Sequence, residues 1–145
     1  MGSKKIKKIL VPLDGSKNSI RGLDEAIYIA RQCHATITAI YAKHYPPGFV
    51  LHPTGFIGID FKKLGKKILD PAKTRAAKRG VLLISKIIGS GDPRYDIARF
   101  AHPRKNKFDL IVIGARGNGI VKDLFFGSVS NYVVHKAKIP VMIVK

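Results

Sequence analysis

The sequence has few of the residues that cross-link, span a membrane or bind a metal. Cysteine occurs once, at Cys33, which rules out an internal disulfide and a cysteine-rich zinc site. No apolar run approaches the roughly 18–20 residues of a membrane span. Acidic residues are scarce: 9 Asp and Glu stand against 27 Lys and Arg. The resulting formal charge of +18 favours anionic partners, namely nucleic acid, acidic lipid or a phosphorylated ligand.

The first residues resemble a secretion signal, because lysines precede an apolar stretch. That stretch ends at Asp14 after five residues, which is too short for such a signal. Together with the single cysteine, this predicts a cytoplasmic protein. The length of 145 residues predicts one domain, residues 1–145, with the 46% hydrophobic and 25% charged content of ordinary globular proteins.

Several catalytic and metal-binding motifs are absent. The chain has no G-x-x-x-x-G-K-[ST] and no G-x-S-x-G. A Rossmann G-x-G-x-x-G begins at Gly117 and Gly119, but Lys122 stands where the last glycine belongs. None of the histidines has metal-ligand spacing. We therefore expect neither catalytic residues nor a metal site built from side chains. The histidines are His34, His44, His52, His102 and His135.

Short apolar runs alternate with helical patterns along the chain. Ser16 and Asp92 are predicted helix N-caps, the second followed by Pro93 at the first helical position. Asp70-Pro71 predicts a kink or a restart within a basic helix, since proline removes a backbone donor. The predicted strands are residues 6–13, 36–42, 81–88, 109–114 and 140–144. The predicted helices follow Ser16, cover 60–79, cover 93–101 and begin at 127–128; the longest irregular stretch is 43–59.

This βαβαβαβαβ order predicts a parallel sheet with right-handed crossovers and helices on both faces. Ligands of such sheets bind beyond the carboxyl ends of the strands, at the point where strand order reverses. We therefore expect the functional residues within four segments: 12–16, 42–60, 89–92 and 114–130.

The glycines of the last segment favour a phosphate site. Gly114 ends a buried strand, Gly117 follows it, and Gly127-Ser128 opens a helix whose free N–H groups attract anions. The alternative is that these residues only form the turn between a strand and a helix, with Ser128 as a simple helix cap. Asp14 has two interpretations as well: a contact to ribose or adenine, or a turn in which the carboxylate binds its own backbone.

Four stretches of the sequence resemble the universal stress protein family. They are residues 9–16 (ILVPLDGS), 109–117 (DLIVIGARG), 127–130 (GSVS) and 139–144 (IPVMIV), and together they span nearly the whole chain. The spacing G-x2-G-x9-G-[ST] is the mark of the family's ATP-binding branch. The resemblance implies a Rossmann-like three-layer α/β sandwich, with five parallel strands in the order 3-2-1-4-5 and about four helices.

The resemblance also implies a role for each residue of the site. Asp14 would be the main polar contact to adenosine, and Ala42, where the family more often has Val, would contribute backbone contacts to adenine. Arg116 replaces a frequent histidine and adds a phosphate contact. Mg²⁺ or Mn²⁺, if bound, would be held mainly by phosphates, since no carboxylate cluster offers a cage. The adenosine end comprises Pro12, Leu13, Asp14 and Ala42; the ribose and α-phosphate border comprises Ile113 and Gly114; the phosphate end comprises Arg116, Gly117, Gly127, Ser128, Val129 and Ser130.

The resemblance thus implies a nucleotide-dependent binding or regulatory module of the stress response. The family usually dimerises through the last strand, here Val141, Met142, Ile143 and Val144, and an apolar edge would self-associate. One alternative is slow ATP hydrolysis or autophosphorylation at Ser128 or Ser130. A second is a basic nucleic-acid binder, for which residues 62–79 offer eight Lys and Arg but no interleaved aromatics. The same run has a simpler interpretation as a solvated face.

Overall fold

The computed structural model describes residues 4–45, 59–117 and 126–145, in which strands and helices alternate. They are β1 (Lys8–Pro12), α1 (Lys17–Cys33), β2 (Thr36–His44), α2 (Phe61–Ala77), β3 (Leu83–Gly91), α3 (Pro93–Phe100), β4 (Leu110–Gly114), α4 (Ser128–Lys136) and β5 (Val141–Val144).

The sheet has the strand order β3-β2-β1-β4-β5, and every neighbouring pair is parallel. This confirms the predicted fold. Leu23 of α1 and Leu69 of α2 belong to one buried cluster, whereas Ile97 of α3 and Val133 of α4 belong to another. The helices therefore form the two outer layers of a three-layer sandwich.

The central strands explain why this order is stable. Every residue of β4 is buried, and only the first residue of β1 is exposed. Successive side chains of a strand point to opposite faces. Accordingly Val11 packs under α1 and α2, while Leu10 packs under α3 and α4. A strand with helices on both faces must be apolar throughout, as the sequence pattern indicated.

Side-chain caps begin three of the helices. The Ser16 side chain accepts a hydrogen bond from the Ser19 N–H at 3.1 Å, and Asp92 accepts one from the Arg94 N–H at 3.1 Å. Both predicted caps are confirmed. Asp60 caps α2 in the same way, accepting from Lys63 N–H at 3.0 Å.

The predicted restart at Asp70-Pro71 is wrong, because α2 runs without a break past Pro71. Leu69, Ala72 and Ala76 lie on both sides of the proline, and all three are buried against the sheet. Their packing keeps the helix continuous despite a local cost of about 3 kcal/mol for an internal proline. Pro71 itself is exposed, so the carbonyl it leaves without a helical donor faces water.

Two strand ends also differ from the prediction. β2 continues to His44, and β3 continues to Gly91, because the two strands still pair after a register shift that follows Ala42. Gly89 and Gly91 have φ values of 115° and 126°, which other residues rarely adopt. Of the predicted irregular stretch, residues 46–58 lie outside the described residues. No helix within the described ranges is long and apolar enough to cross a membrane.

Candidate functional site

The reversal of strand order lies between β1 and β4. β1 pairs with β2 on one side and with β4 on the other, so the connections leaving these two strands diverge. Leu13 and Asp14 follow β1, and Ala115 to Gly117 follow β4, at the same edge of the sheet. Such a crevice is where parallel α/β sheets bind their ligands.

The carboxylate of Asp14 faces two features of this edge. Its Oδ1 accepts a hydrogen bond from the Ser16 N–H at 2.9 Å, which confirms the turn interpretation for that oxygen. Its Oδ2 lies so close to Gly117 that a Cβ on residue 117 would overlap it. The turn role thus concerns Oδ1, and a contact of this carboxylate with a ligand stays a prediction. Any side chain on residue 117 would displace the Asp14 carboxylate, which explains why this position is glycine.

Gly114 has a structural reason to be glycine that the sequence did not reveal. A Cβ there would lie 2.7 Å from the backbone carbonyl of Asn18 and 2.9 Å from the Ser19 nitrogen. On the facing helix, a Cβ on Gly22 would lie 3.3 Å from the Gly114 nitrogen. The first turn of α1 therefore packs directly on the end of β4, and this contact closes one wall of the crevice.

The Ala115 carbonyl fastens the start of α4 to the end of β4. It accepts hydrogen bonds from the Gly127 N–H at 2.6 Å and from the Ser130 hydroxyl at 2.8 Å. Ser130 is only 2% exposed, and its single hydroxyl proton is shared between Ala115 and the Gly127 carbonyl, 3.1 Å away. The observed role of Ser130 is thus to position α4, and its contact with phosphate stays a prediction.

The N-terminus of α4 lies next to Gly117. Gly127 is the N-cap, with no side-chain cap hydrogen bond in the described part of the chain, so the interpretation of Ser128 as the cap is wrong. Ser128 is exposed and Val129 half-buried. A Cβ on Gly127 would lie 3.7 Å from the Gly117 nitrogen. Gly117 therefore lies between the Asp14 carboxylate and the positive end of the α4 dipole.

The apolar residues predicted to border the adenosine have side chains that lie in the hydrophobic core. Ala42 and Ile113 are 8% and 5% exposed and belong to the cluster under α3 and α4. Pro12 and Leu13 are buried as well, and the Leu13 N–H donates to the Ile40 carbonyl at 2.8 Å. Only backbone or edge atoms of these residues remain for a ligand. Arg116, by contrast, is exposed at the mouth of the crevice.

Tyr41 was missed by the sequence reasoning. Burial raises the pKa of its hydroxyl, and the negative charge of Asp14 raises it further. The ring lies beneath the site, in the cluster under α1 and α2. An aromatic residue near the end of an apolar strand looks like ordinary core, so no sequence signal distinguished it.

Asp96 was also missed, and it does not belong to the crevice. It is 7% exposed, and it accepts from the Ser90 N–H at 2.7 Å, the Ser90 hydroxyl at 3.0 Å and the Gly91 N–H at 3.3 Å. This carboxylate holds the turn between β3 and α3. It lines a cavity of about 220 Å³, and a cavity of about 390 Å³ lies at the amino edge near His34. Neither cavity includes a residue assigned to the nucleotide site, although Gly89 and Ser90, which line the smaller one, belong to the predicted segment 89–92.

The described residues contain no group of three His, Cys, Asp or Glu side chains that could hold a metal ion. Residues 118–125, which fall within the predicted segment 114–130, lie outside the described residues.

Relatives of this chain have been named in bacteria and archaea. Universal stress protein YxiE of Bacillus subtilis is 34% identical, over 95% of this chain and 98% of the relative. Universal stress protein MJ0531 of Methanocaldococcus jannaschii is also 34% identical, over 99% of this chain and 85% of the relative.

Three solved structures share the fold. A universal stress protein in complex with cAMP is 24% identical, with a TM-score of 0.70 over 98% of both chains. One from Archaeoglobus fulgidus in complex with dAMP is 24% identical, with a TM-score of 0.70 over 98% of this chain and 100% of the other. A universal stress protein family protein from Arabidopsis thaliana with AMP bound is 22% identical, with a TM-score of 0.69 over 96% of this chain and 91% of the other.

The universal stress protein family model matches residues 5–145, which is nearly the whole chain. With relatives 34% identical over almost their full lengths, the assignment does not depend on the fold alone. The chain belongs to the universal stress protein family.

Proposed function

We propose that this chain binds an adenine nucleotide, ATP, in the crevice between β1 and β4, and acts as a nucleotide-dependent regulatory module of the stress response in the cytoplasm. The observation that carries the proposal is the position of Gly117. It lies between the Asp14 carboxylate and the N-terminus of α4, where a Cβ would overlap Asp14. An anion at the helix and a sugar or base at the carboxylate can therefore belong to one ligand.

The phosphate end of the ligand would lie against the first turn of α4. Free N–H groups at a helix N-terminus and the positive end of its dipole favour phosphate. Gly127 presents no side chain there, and the exposed Ser128 hydroxyl can donate to a phosphate oxygen. Arg116 is exposed beside them and supplies positive charge. Mg²⁺ or Mn²⁺ would be held mainly by the phosphates.

The adenosine end would lie against the end of β1. Asp14 accepts hydrogen bonds from ribose hydroxyls or the adenine amine, while backbone atoms of Ala42 and Ile113 border the base and the ribose. Universal stress proteins of the same fold have been solved with cAMP, dAMP and AMP, and this supports an adenine nucleotide as the ligand class. The G-x2-G-x9-G-[ST] spacing supports ATP among them.

The first test is calorimetry with ATP and AMP on the wild-type protein and on Asp14→Asn, with Asp70→Asn as the matched control. Both substitutions remove one negative charge, and Asn at 14 keeps an oxygen for the Ser16 N–H. We expect Asp14→Asn to weaken binding about tenfold, the value of one charged hydrogen bond. Asp70→Asn should leave affinity unchanged. Absence of binding to wild type at millimolar nucleotide would overturn the proposal.

Gly127→Val tests the phosphate end separately. A Cβ on Gly127 meets its neighbours at 3.4–3.7 Å, which is ordinary contact, so Ala should fold normally and Val should show the larger ligand effect. We expect Val to abolish ATP binding while thermal unfolding changes little. Unchanged ATP affinity would place the phosphates elsewhere.

We also propose that the dimer forms through β5, which lies at one edge of the sheet. Met142 on this strand is 39% exposed, and an uncovered apolar edge tends to self-associate. Met142→Lys should give a monomer in sedimentation velocity, whereas Leu82→Lys, at a more exposed apolar position beside β3, should stay dimeric. Identical sedimentation of both variants and wild type would contradict this interface.

Slow ATP hydrolysis or autophosphorylation is the second candidate function. Ser128 favours it, because the hydroxyl is exposed at the first turn of α4, whereas Ser130 is buried and donates to Ala115. Phosphate transfer to protein should therefore be lost in Ser128→Ala and kept in Ser130→Ala. No release of ADP above background with magnesium present would exclude this candidate.

A further inference from the structure

The exposed face of α2 carries a set of lysines whose charges are not balanced by the protein. Six lysines on this helix and its C-cap are exposed, and none makes an ion pair within the described part of the chain. They are Lys62, Lys63, Lys66, Lys67, Lys73 and Lys78, and we call this set the α2 lysine face. The neighbouring Arg75 and Arg79 differ, since both pair with Asp24 of α1.

The lysines form rows along the helix. Residues four apart lie on the same side of a helix, so Lys63 and Lys67 form one row with Lys78, and Lys62 and Lys66 form a second with Lys73. The first row extends over about 22 Å at 1.5 Å per residue. All six lysines are exposed, so both rows face solvent. The first row lies opposite the buried side of α2, whereas the second row borders it, because Lys73 is four residues from the buried Leu69.

This arrangement disfavours the helix itself. Lys62–Lys66 and Lys63–Lys67 are like-charged pairs four residues apart, and each such pair destabilises a helix. Lys62 and Lys63 also lie in the first turn, where the dipole disfavours cations, and no acidic residue is present in that turn. Asp70 is the one acidic side chain within α2. Local folding does not explain the pattern, whereas an external polyanion would neutralise it.

The chemistry of the face favours duplex nucleic acid over a membrane or a single strand. An interfacial helix must insert an apolar face into lipid, but the buried residues of α2 pack inside the protein, and Leu64, 40% exposed, is the one large apolar side chain that α2 exposes. Single strands are held by stacking on aromatic side chains. The one aromatic residue of α2, Phe61, is half-buried and packs edge-on against Tyr45 with ring centroids 5.1 Å apart. Over about 22 Å, a DNA duplex presents roughly 13 phosphates.

We propose that the α2 lysine face binds the phosphate backbone of double-stranded DNA without reading its sequence. Phosphate contacts from lysines position a duplex and carry no base specificity. The face lies outside the crevice between β1 and β4, so this binding does not depend on the nucleotide site.

The test compares two variants of equal net charge. Lys63, Lys66, Lys67 and Lys73 are replaced by Gln in one; Lys5, Lys107, Lys136 and Lys138, all exposed elsewhere, are replaced by Gln in the other. Gln has nearly the helix propensity of Lys, so folding should be retained. Affinity for a mixed-sequence 24-base-pair DNA is measured by fluorescence anisotropy from 50 to 200 mM salt, and ATP binding is measured in parallel.

If four or more lysines contact phosphates, wild-type affinity should fall about 100-fold across this salt range. The α2 variant should bind at least tenfold more weakly than the control variant at low salt, with a flatter salt dependence. Equal losses in both variants would mean a general effect of net charge and would overturn the proposal. Absence of duplex binding at 50 mM salt, or tighter binding to single strands or phosphatidylserine vesicles, would overturn it as well.

A second measurement avoids variants altogether. Lysine labelling of the wild-type protein, followed by mass spectrometry, should show Lys63 and Lys67 protected by the duplex and Lys107 and Lys138 unprotected. Equal protection of all four would contradict a specific face.

Discussion

Helices α1 and α2 have equal lengths of 17 residues and share one layer, but they relate to the molecule differently. α1 carries three basic and two acidic residues and begins at the crevice beside Gly114. α2 carries six basic residues and one acidic residue, contains a proline, and covers the β2–β3 side of the sheet. One helix contributes its backbone to a site, whereas the other contributes charge to a surface.

The two helices also differ in the kind of atoms that they pack against. α1 meets the backbone of β4 at Gly114, which cannot move aside. α2 meets side chains, because a Cβ on Gly65 would overlap the Ile87 side chain and lie 3.3 Å from Cδ1 of Tyr41. The position of α1 is therefore dictated by the main chain, and that of α2 can adapt to its neighbours. The candidate site therefore adjoins the helix whose position is the more fixed of the two.

Alanine substitutions of Gly114 and Gly65 should give the largest difference in the free energy of unfolding. Gly114→Ala forces α1 away from β4, and we expect a loss of about 3 kcal/mol in the free energy of unfolding. Gly65→Ala displaces only a half-buried isoleucine, and alanine regains about 1 kcal/mol of helix propensity, so its net loss should stay near 1 kcal/mol. Urea unfolding of both variants measures this. Equal losses would mean that the two contacts are equivalent.

Pro71→Ala removes the feature that most distinguishes α2 from α1. The substitution restores a helical N–H donor at an exposed position, and we expect the free energy of unfolding to rise by about 1–3 kcal/mol. Thermal unfolding checks the direction. A decrease would mean that the proline, rather than the packing of Leu69 and Ala72, holds α2 in place.

Asp24→Asn removes the ion pair that joins the two helices. Arg75 donates from two nitrogens to the Asp24 carboxylate, and this hydrogen bonding raises the pKa of Arg75. Because both side chains are partly exposed, we expect a loss of only about 1 kcal/mol. Asp70→Asn is the control and should change the free energy of unfolding by less than about 0.5 kcal/mol. Chemical denaturation at low salt compares the two.

The smallest expected effect concerns Tyr41, on which α2 packs. Its raised pKa means that the folded state keeps the phenolic proton to a higher pH than the unfolded state does. The associated stabilisation is complete below pH of about 10 and is lost as pH rises through the folded-state pKa. Between pH 8 and pH 11, wild type should therefore lose more stability than Tyr41→Phe. Parallel pH profiles would contradict this.

Much of the fold was predictable because it depends on local patterns. Fully apolar runs identified β1 and β4, and Ser16 and Asp92 marked helix starts, since a short polar side chain at the N-cap satisfies a free N–H group. The predicted restart at Pro71 was wrong because local backbone chemistry was outweighed by packing on both sides of the proline, and the alternative of a kink there stays a prediction. The predicted ends of β2 and β3 were too early, because the pairing of His44 with Gly91 depends on a neighbouring strand that is distant in sequence.

The sequence predicted that Asp14, Gly117 and Gly127 come together at one edge of the sheet, and the structure places them there. Their contacts with a ligand stay predictions. The sequence did not predict that the Ser130 hydroxyl donates to Ala115, or that α1 approaches Gly114 closely. Such distinctions require knowing which backbone lies opposite each residue.

The sequence by itself determined the family, through the resemblance of its motifs. It also determined the order of elements and the excess of positive charge, because these follow from periodicity and composition. Only the tertiary structure decided which charges remain unbalanced. Eight basic residues occur between Lys62 and Arg79. Arg75 and Arg79 pair with Asp24 from another helix, while the six lysines face solvent. Ion pairing depends on distance in space, which the fold sets and the linear sequence does not.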